Sequence, residues 1–364
     1  MADPLDVRSA HGGAVVQAAR ELGKPLDEIL DFSASINPLG MPKEVLEAAR
    51  EALRHAVHYP EIDGSSLASA LESAHGLPAD NFLPGSGSTE LLYLFPRVLR
   101  PRRALLVVPA FSEYQRSLKQ AGTEIDIFPL SPEDDFRLDP CLLMRHLHPE
   151  TDLVLLANPG NPTGAGIDPF VVETIARGVR EQALVAVDEA FVDFCPKLSV
   201  LGAVGLHGNL YVFRSLTKFY AIPGLRAGYL AGPAAGIARL RAAKEPWTVS
   251  VPALAAAETC LGQEDYRQRT LATIPDLRKD LARGLADLGM RVFPSEANFL
   301  LARLEEGGQT APRLAAELRG MGILIRDCSN FSALDERYLR VAVRNREENA
   351  RLLQAISEIF AQEI

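Results

Sequence analysis

Short apolar runs alternate with helical patterns between residues 81 and 232. Several of these runs are apolar at consecutive positions, which is typical of strands that helices cover on both faces. Strands that alternate with helices favour a three-layer α/β/α arrangement around a mostly parallel sheet. The predicted strands are 104–108, 124–128, 153–157, 184–187, 210–213 and 227–231.

The pattern changes after Pro246 and Pro252, where a long helical region runs from residue 253 to about residue 288. Shorter apolar strands and two amphipathic helices follow this region. Mixed elements of this kind predict a smaller α+β domain. The predicted strands are 298–303, 323–325 and 338–343, and the predicted helices are 311–319 and 347–360.

The length of 364 residues exceeds one ordinary hydrophobic core and therefore favours two domains. We predict a large domain over residues 41–250 and a small C-terminal domain over residues 251–364. Residues 1–40 are too short to fold alone, and we expect this N-terminal segment to pack against the small domain.

Composition excludes several classes of protein. Hydrophobic residues make up 47% of the chain and charged residues 23%, as in a soluble globular protein. The formal net charge of -9 argues against nucleic acid or an anionic membrane as the main partner. We expect no signal peptide, because the N-terminus lacks a basic region before an apolar run. We expect no membrane span, because no apolar run reaches the necessary length. The four scattered cysteines lack metal-like spacing, so we expect a cytoplasmic protein with reduced thiols and no metal.

The segment 215–226 reads Ser-Leu-Thr-Lys-Phe-Tyr-Ala-Ile-Pro-Gly-Leu-Arg and follows a predicted strand. It places Lys218 just after the carboxyl end of that strand, between Ser215 and Arg226 in the sequence. The side chains of these two residues can donate hydrogen bonds to a phosphate. A desolvated lysine amine loses its proton readily and can bond the aldehyde carbon of pyridoxal phosphate. Alone, the same residues would also fit a solvated surface loop.

Two further motifs directly follow apolar strands. Residues 157–164 read Ala-Asn-Pro-Gly-Asn-Pro-Thr-Gly, which forces a turn at the strand's carboxyl end, where α/β sheets bind ligands. Asn161 is placed there to donate to the cofactor's phenolic oxygen. Asp188 lies at the end of another apolar strand, where burying its carboxylate costs free energy unless a donor such as a pyridinium N–H pairs with it. A purely structural turn and a helix-capping aspartate are the alternatives.

Residues 83–90 read Leu-Pro-Gly-Ser-Gly-Ser-Thr-Glu before a helical pattern at 91–98. Glycine, serine and threonine at a helix start offer backbone N–H groups and the helix dipole to a phosphate. The segment lacks the lysine of a P-loop, so it is a weak motif alone. Phe111, just past strand 104–108, is placed to stack on the cofactor ring, although an ordinary core position fits it equally.

Together and in order, these motifs resemble the fold-type I, aspartate-aminotransferase-like family of pyridoxal-phosphate enzymes over nearly the whole chain. The resemblance implies that Lys218 carries the cofactor and acts in catalysis, and that Asp188 is the catalytic partner of the pyridine nitrogen. It also implies that Asn161 bonds the phenolic oxygen and that Phe111 meets the ring. The implied phosphate site consists of Gly87, Ser88, Thr89, Ser215 and Arg226.

The same resemblance implies a homodimer with shared active sites, in which Tyr59 reaches the neighbour's cofactor phosphate. Within the family, residues 11–13, 31–40, 214–226 and 323–326 resemble a subgroup of decarboxylases that act on a phosphorylated amino acid. For the substrate, the resemblance implies that Arg340 binds the carboxylate and Arg326 the phosphate. The other implied substrate contacts are His11, Gly12, Ser35 and Asn161.

Two positions depart from common patterns. Phe191 stands where many aminotransferases have tyrosine, a difference that the decarboxylase subgroup commonly shows. Ser35 stands where that subgroup usually has asparagine, and it offers a single, shorter hydroxyl. An aminotransferase of a phosphorylated substrate is the main alternative. A cofactor-binding regulator is a second alternative, which the retained lysine and aspartate disfavour.

Overall fold

The computed structural model describes residues 11–362, so residues 1–10 of the predicted N-terminal segment lie outside the described residues. Strands in the described part of the chain form three sheets. In chain order they are β1 (Leu30–Asp31), β2 (Phe82–Gly85), β3 (Arg103–Val108), β4 (Glu124–Pro129), β5 (Leu153–Ala157), β6 (Leu184–Asp188), β7 (Leu210–Ser215), β8 (Gly228–Ala231), β9 (Arg291–Val292), β10 (Phe299–Arg303), β11 (Ile323–Leu324), β12 (Arg326–Asp327) and β13 (Tyr338–Ala342).

The largest sheet has seven strands in the order β2-β8-β7-β6-β5-β3-β4. Neighbours from β7 to β4 pair in parallel, whereas β8 runs antiparallel to both β7 and β2. The prediction of a mostly parallel sheet is confirmed. Strand β2 was not predicted, because its Pro84 and Gly85 are rare inside strands and find a place here at the sheet's edge.

The α-helices of residues 11–362 cover both faces of the seven-stranded sheet, and some of them pack on the four-stranded sheet. None of them has the length and apolar character needed to cross a bilayer. In chain order they are α1 (Val15–Leu22), α2 (Lys43–Ala52), α3 (Ser65–His75), α4 (Ser88–Leu99), α5 (Ser112–Gln120), α6 (Pro140–His146), α7 (Pro169–Gly178), α8 (Ala234–Ala243), α9 (Val251–Leu261), α10 (Glu264–Asp287), α11 (Ala311–Gly320) and α12 (Arg346–Ala361).

Alternate residues of the central strands face opposite helical layers, because side chains alternate along a strand. On β3, Leu105 and Val107 join one buried cluster with residues of α2, α3, α7 and α9. Ala104 and Leu106 join a second cluster with residues of α4, α5 and α8. The predicted three-layer α/β/α arrangement is therefore confirmed.

The C-terminal part forms an antiparallel sheet in the order β12-β13-β10-β9, against which α10, α11 and α12 pack. The predicted helical region from 253 to about 288 consists of two helices, because α9 ends at Leu261 and α10 begins at Glu264. Gly262 is the C-cap of α9 and lies between them.

The predicted strand 323–325 corresponds to β11 at Ile323–Leu324, and a further strand that was not predicted, β12, follows at Arg326–Asp327. Strand β11 pairs in parallel with β1, whereas β12 pairs antiparallel with β13. Because β1 lies within residues 1–40, its pairing with β11 supports the expectation that the N-terminal segment packs against the C-terminal part. The proposed domain boundaries at residues 40 and 250 stay a prediction.

Candidate active site

A cavity of about 450 Å³ lies at the carboxyl ends of β5, β6 and β7. Residues 11–13 and the segment after β1 form another wall of it. Seven residues that the sequence predicts for the cofactor line this cavity: Ser88, Thr89, Phe111, Asn161, Asp188, Lys218 and Arg226. Five predicted substrate residues line it as well: His11, Gly12, Ser35, Arg326 and Arg340.

Three predicted cofactor residues do not line the cavity. Gly87 caps α4, and its backbone packs against the guanidinium of Arg226. Ser215 is buried behind Lys218, whose Nζ donates to the serine hydroxyl at 3.1 Å. Tyr59 is 81% exposed outside the cavity and packs against Trp247 with the rings tilted at 35° and their centroids 4.9 Å apart. A role for Tyr59 in a partner's site therefore stays a prediction.

Lys218 extends from the turn after β7 into the cavity, where its Nζ lies 5.8 Å from the centre of the Phe191 ring. Burial lowers the pKa of Lys218 to about 8, although the nearby charge of Asp188 opposes the shift. The positive charges of Arg226 and Arg340 lower the pKa further. A substantial fraction of the amine is therefore neutral, and so nucleophilic, near neutral pH.

Asp188 ends β6 as a buried carboxylate held from two sides. The Tyr114 hydroxyl donates to its Oδ2 at 2.6 Å, and the Ala190 backbone N–H donates to its Oδ1 at 2.8 Å. Burial raises the pKa of Asp188, whereas the hydrogen bond from Tyr114 and the charge of Lys218 lower it. These contacts fix an acceptor at the cavity floor, ready for a cationic N–H donor.

Sequence reasoning missed Tyr114 and Thr217. Tyr114 is fully buried on α5, three residues after Phe111, and its partner Asp188 is 74 residues away in the chain. Thr217 lines the cavity, and its hydroxyl lies 2.8 Å from that of Ser215. The helical spacing of Phe111 and Tyr114 was the available signal for the first. The threonine within the lysine motif was the signal for the second.

The start of α4 forms a cradle for an anion. Ser88 and Thr89 occupy its first turn, where unpaired backbone N–H groups and the helix dipole favour negative charge. Arg226 closes the cradle from the opposite side. A phosphate in the cradle, a lysine amine and a carboxylate for a ring nitrogen are the features that pyridoxal phosphate requires, so the residues present fit this group.

Gly228 brings β8 against the start of α4. A Cβ at this position would lie 2.6 Å from the carbonyl oxygen of Arg214 and 2.7 Å from the backbone nitrogen of Ser88. Gly228→Ala is therefore expected to displace the cradle at a cost of about 1–3 kcal/mol, which weakens cofactor binding roughly tenfold or more. Spectroscopic titration of apoenzyme with pyridoxal phosphate measures the change.

Gly208→Ala is the matched control, because a Cβ at Gly208 meets nothing within 4 Å. Its dissociation constant should equal that of the parent. An unchanged dissociation constant in Gly228→Ala would show that the cradle does not depend on this close approach.

Arg326 and Arg340 are paired residues on the adjacent strands β12 and β13. Arg340 donates from Nη2 to the carbonyl oxygen of Ser33 at 2.7 Å and from Nη1 to Oδ1 of Asn161. Arg326 donates from Nη2 to Oδ1 of Asn330 at 2.8 Å. Burial lowers the pKa of both guanidinium groups, that of Arg340 to about 10, so both stay charged at neutral pH.

Ser35 presents a buried hydroxyl that has no hydrogen-bond partner among residues 11–362. Its carbonyl oxygen, by contrast, accepts from Nδ2 of Asn298 at 3.0 Å, which fixes the backbone. A buried hydroxyl without a partner is costly, and a polar ligand in the cavity would satisfy it. Within the same residues, no three His, Cys, Asp or Glu side chains gather as metal ligands.

Comparison with known proteins matches this arrangement to one family. Residues 27–356 match the family described as aminotransferase class I and II. The chain is 39% identical over 356 residues to the threonine-phosphate decarboxylase of Salmonella typhimurium, an alignment that covers 97% of both chains.

Two solved structures are similar to the chain as well. The L-threonine-O-3-phosphate decarboxylase from Porphyromonas gingivalis aligns with a TM-score of 0.81 and 26% identity, over 91% of this chain and 99% of that one. The histidinol-phosphate aminotransferase from Clostridium acetobutylicum aligns with a TM-score of 0.85 and 29% identity, over 92% of this chain and 100% of that one. Overall likeness therefore does not separate decarboxylation from transamination.

Proposed function

Because the chain belongs to the aminotransferase class I and II family, we propose that it is a pyridoxal-phosphate-dependent decarboxylase of L-threonine O-3-phosphate. The reaction releases the carboxylate as carbon dioxide and adds a proton to the α-carbon. Its product is (R)-1-amino-2-propanol O-2-phosphate, which we assign to cobalamin biosynthesis on the sequence resemblance. This proposal retains the narrower interpretation of the sequence.

Each cofactor-binding residue has a separate role in this proposal. With pyridoxal phosphate bound, Lys218 would hold it covalently, Asp188 would keep a proton on its pyridine nitrogen, and Asn161 would bind its phenolic oxygen. Ser88, Thr89 and Arg226 bind its phosphate at the start of α4. Pyridoxal phosphate supplies a conjugated, protonated ring that stabilises the electron pair left when a bond to the α-carbon breaks.

Lys218 also handles the proton after carbon dioxide leaves. With substrate bound, its amine would lie free in the cavity and would act there as a proton carrier. A pKa of about 8 suits this role, because both protonation states are populated near neutral pH.

The observation that carries the proposal is the buried pair of arginines on one wall. Phosphothreonine presents a carboxylate and a phosphate together, and planar guanidinium groups bind both anions well. Arg340 holds and aims the carboxylate, while Arg326 binds the phosphate with His11, Gly12 and the Ser35 hydroxyl. Orientation would select decarboxylation, because Arg340 would hold the substrate carboxylate, rather than the α-hydrogen, where the bond to the α-carbon breaks.

Histidinol-phosphate aminotransferase is the alternative, and the likeness to the Clostridium acetobutylicum structure favours it. Histidinol phosphate carries a phosphate but no carboxylate, so in that reaction Arg340 would meet a carboxylate only in the half-reaction with glutamate and 2-oxoglutarate. Purified protein incubated with phosphothreonine should release carbon dioxide. Exchange of amino groups that depends on 2-oxoglutarate, without carbon dioxide, would establish the alternative.

Replacement of Arg326 and replacement of Arg340 should have different effects on substrate selectivity and turnover. Arg326→Ala is expected to lose about 2–4 kcal/mol of selectivity for phosphothreonine over threonine, as for loss of charge-assisted contacts. Arg340→Ala should weaken both substrates equally and lower turnover, because the carboxylate loses its orientation. Steady-state kinetics of each variant with both substrates measure the difference.

Arg326→Lys is the matched variant, since it keeps the charge but loses the planar fork. We expect it to recover part of the selectivity that Arg326→Ala loses. Equal losses on threonine and phosphothreonine in Arg326→Ala would mean that Arg326 does not bind the substrate phosphate.

We also propose a homodimer in which Tyr59 reaches the partner's cofactor phosphate. Tyr59 lies in an exposed apolar patch with Val57, Ile62 and Trp247, of which Val57 is 84% and Ile62 is 65% exposed. Exposed apolar patches mark interaction surfaces, and a second copy would bury this one. Sedimentation at assay concentrations tests the proposal, and a catalytically active monomer would contradict it.

A further inference from the structure

The wall of the cavity formed by residues 11–13, which we call the N-terminal wall, is attached first to the C-terminal part of the chain. The backbone N–H of Gly13 donates to Oγ of Ser33 at 2.8 Å, and Ser33 donates to Oδ1 of Asp31 at 2.6 Å. Asp31 belongs to β1, which pairs with β11. These bonds fix the wall to the strands that precede Arg326.

Gly12 lies in direct contact with the same segment. A Cβ at Gly12 would lie 2.2 Å from the carbonyl oxygen of Ser33, so the position admits no side chain. Gly12 has no side chain that could hold it in position by contacts of its own. Its position depends on the attachments of the residues on either side.

The second attachment of the N-terminal wall crosses the cavity mouth to α5. Nε2 of His11 lies 3.0 Å from Oε1 of Glu113. The His11 ring also contacts Phe111, with centroids 5.5 Å apart at an angle of 50°. Glu113 and Phe111 lie at the start of α5, which packs on the seven-stranded sheet. The pair therefore joins the N-terminal wall to the layer that carries the cofactor cradle.

Glu113 is built to accept this contact. It is only 7% exposed, and the hydroxyl of Tyr93 donates to its Oε2. Burial, together with the hydrogen bond to Glu113, raises the pKa of Tyr93 to about 12, so the phenol stays a donor. Arg116 lies 3.8 Å from Oε1 on the same helix. A buried carboxylate is costly unless donors surround it, and His11 completes the set.

We propose that Glu113 is a positioning residue that latches His11, and with it the N-terminal wall, in the place where the substrate phosphate binds. The bond to Nε2 fixes the orientation of the imidazole, and Nδ1 can then donate to a phosphate when the ring carries both protons. The proposal rests on the proposed function for the identity of the ligand, but its structural part does not. Without the latch, the wall keeps its attachment to Ser33 and the ring contact with Phe111 but loses its hydrogen bond to α5.

Two measurements on the holoenzyme test the latch. In hydrogen exchange, Glu113→Ala should accelerate exchange of the Gly13 amide about fivefold or more, because the wall opens more often. In kinetics, the same variant should raise KM for phosphothreonine about tenfold and change kcat much less, as for one lost charge-assisted hydrogen bond. Glu113→Gln is isosteric and keeps an acceptor for His11, so it should show smaller changes in both measurements.

Arg116→Ala is the control, because it removes a neighbour of the same carboxylate but leaves the bond to His11. Its KM should stay within about twofold of the parent. Unchanged exchange in Glu113→Ala and Glu113→Gln would overturn the latch whatever reaction the enzyme catalyses. Faster exchange with KM unchanged for phosphothreonine would overturn the role in phosphate binding. Failure of the parent protein to release carbon dioxide would overturn the proposed function alone.

Discussion

Replacing Lys218 with alanine is expected to remove nearly all turnover and to leave a folded protein that binds pyridoxal phosphate only loosely. The variant loses the covalent anchor and the proton carrier together. General acid–base catalysis alone contributes on the order of 10²–10⁴-fold, so the combined loss should reach at least that range. Turnover of phosphothreonine and the dissociation constant of the cofactor are the quantities to measure.

Lys218→Arg is the matched variant, because it keeps a positive charge beside Asp188 but cannot bond the cofactor. It should be as inactive as Lys218→Ala. In the parent, borohydride should fix the cofactor to Lys218, and a peptide map that places it on another lysine would refute the assignment. Attachment to apoenzyme should accelerate as the pH rises through about 8, because the neutral amine is the nucleophile.

The large sheet was predictable because most of its strands are buried on both faces. In β3 and β5 every position after the first is apolar or small, and such runs stand out between helices. Strand β2 gave no such signal, since half of it is proline and glycine. The local sequence also could not predict that β11 and β12 belong to different sheets. That arrangement depends on the pairing of β11 with β1, nearly 300 residues earlier.

The site was predictable where a short motif carries the chemistry, as it does for Lys218, Asp188 and the start of α4. Contacts between distant segments were not predictable. Tyr114 and Glu113 lie side by side on α5, yet their partners Asp188 and His11 are 74 and 102 residues away in the chain. Periodicity places both on a helix, but only the packed fold decides what each side chain meets.

The catalytic role of Asp188 can be distinguished from a structural role by comparison with the adjacent acid, Glu189. Glu189 is also buried, but it accepts hydrogen bonds from Arg214 at 3.1 Å and from Ser199 at 2.8 Å. It forms an ion pair away from the cavity, whereas Asp188 faces the cavity. Burial raises the pKa of both carboxyl groups, so neither is ionised without cost. The two acids therefore differ in partner rather than in burial.

Asp188→Ala is expected to lower turnover about 100-fold or more, as for loss of one electrostatic partner of a transition state. Without the carboxylate, the pyridine nitrogen loses its proton and the ring stabilises the α-carbon electron pair poorly. Asp188→Glu should retain more activity. Thermal unfolding of the apoenzyme should change little in Asp188→Ala, because relief of the cost of burying the carboxylate offsets the loss of its hydrogen bonds from Tyr114 and Ala190.

Glu189→Gln should show the opposite behaviour, because it breaks a buried ion pair at a cost of up to about 3–5 kcal/mol while the cofactor keeps its partner. Thermal unfolding, kcat and the absorbance of the bound cofactor, measured on both variants, distinguish the two acids. Asp188→Ala should lose turnover without a large shift in unfolding temperature, and Glu189→Gln should lose stability but keep the parent's spectrum. If Asp188→Ala turns over within about tenfold of the parent, Asp188 caps the turn after β6 and does not serve the ring nitrogen.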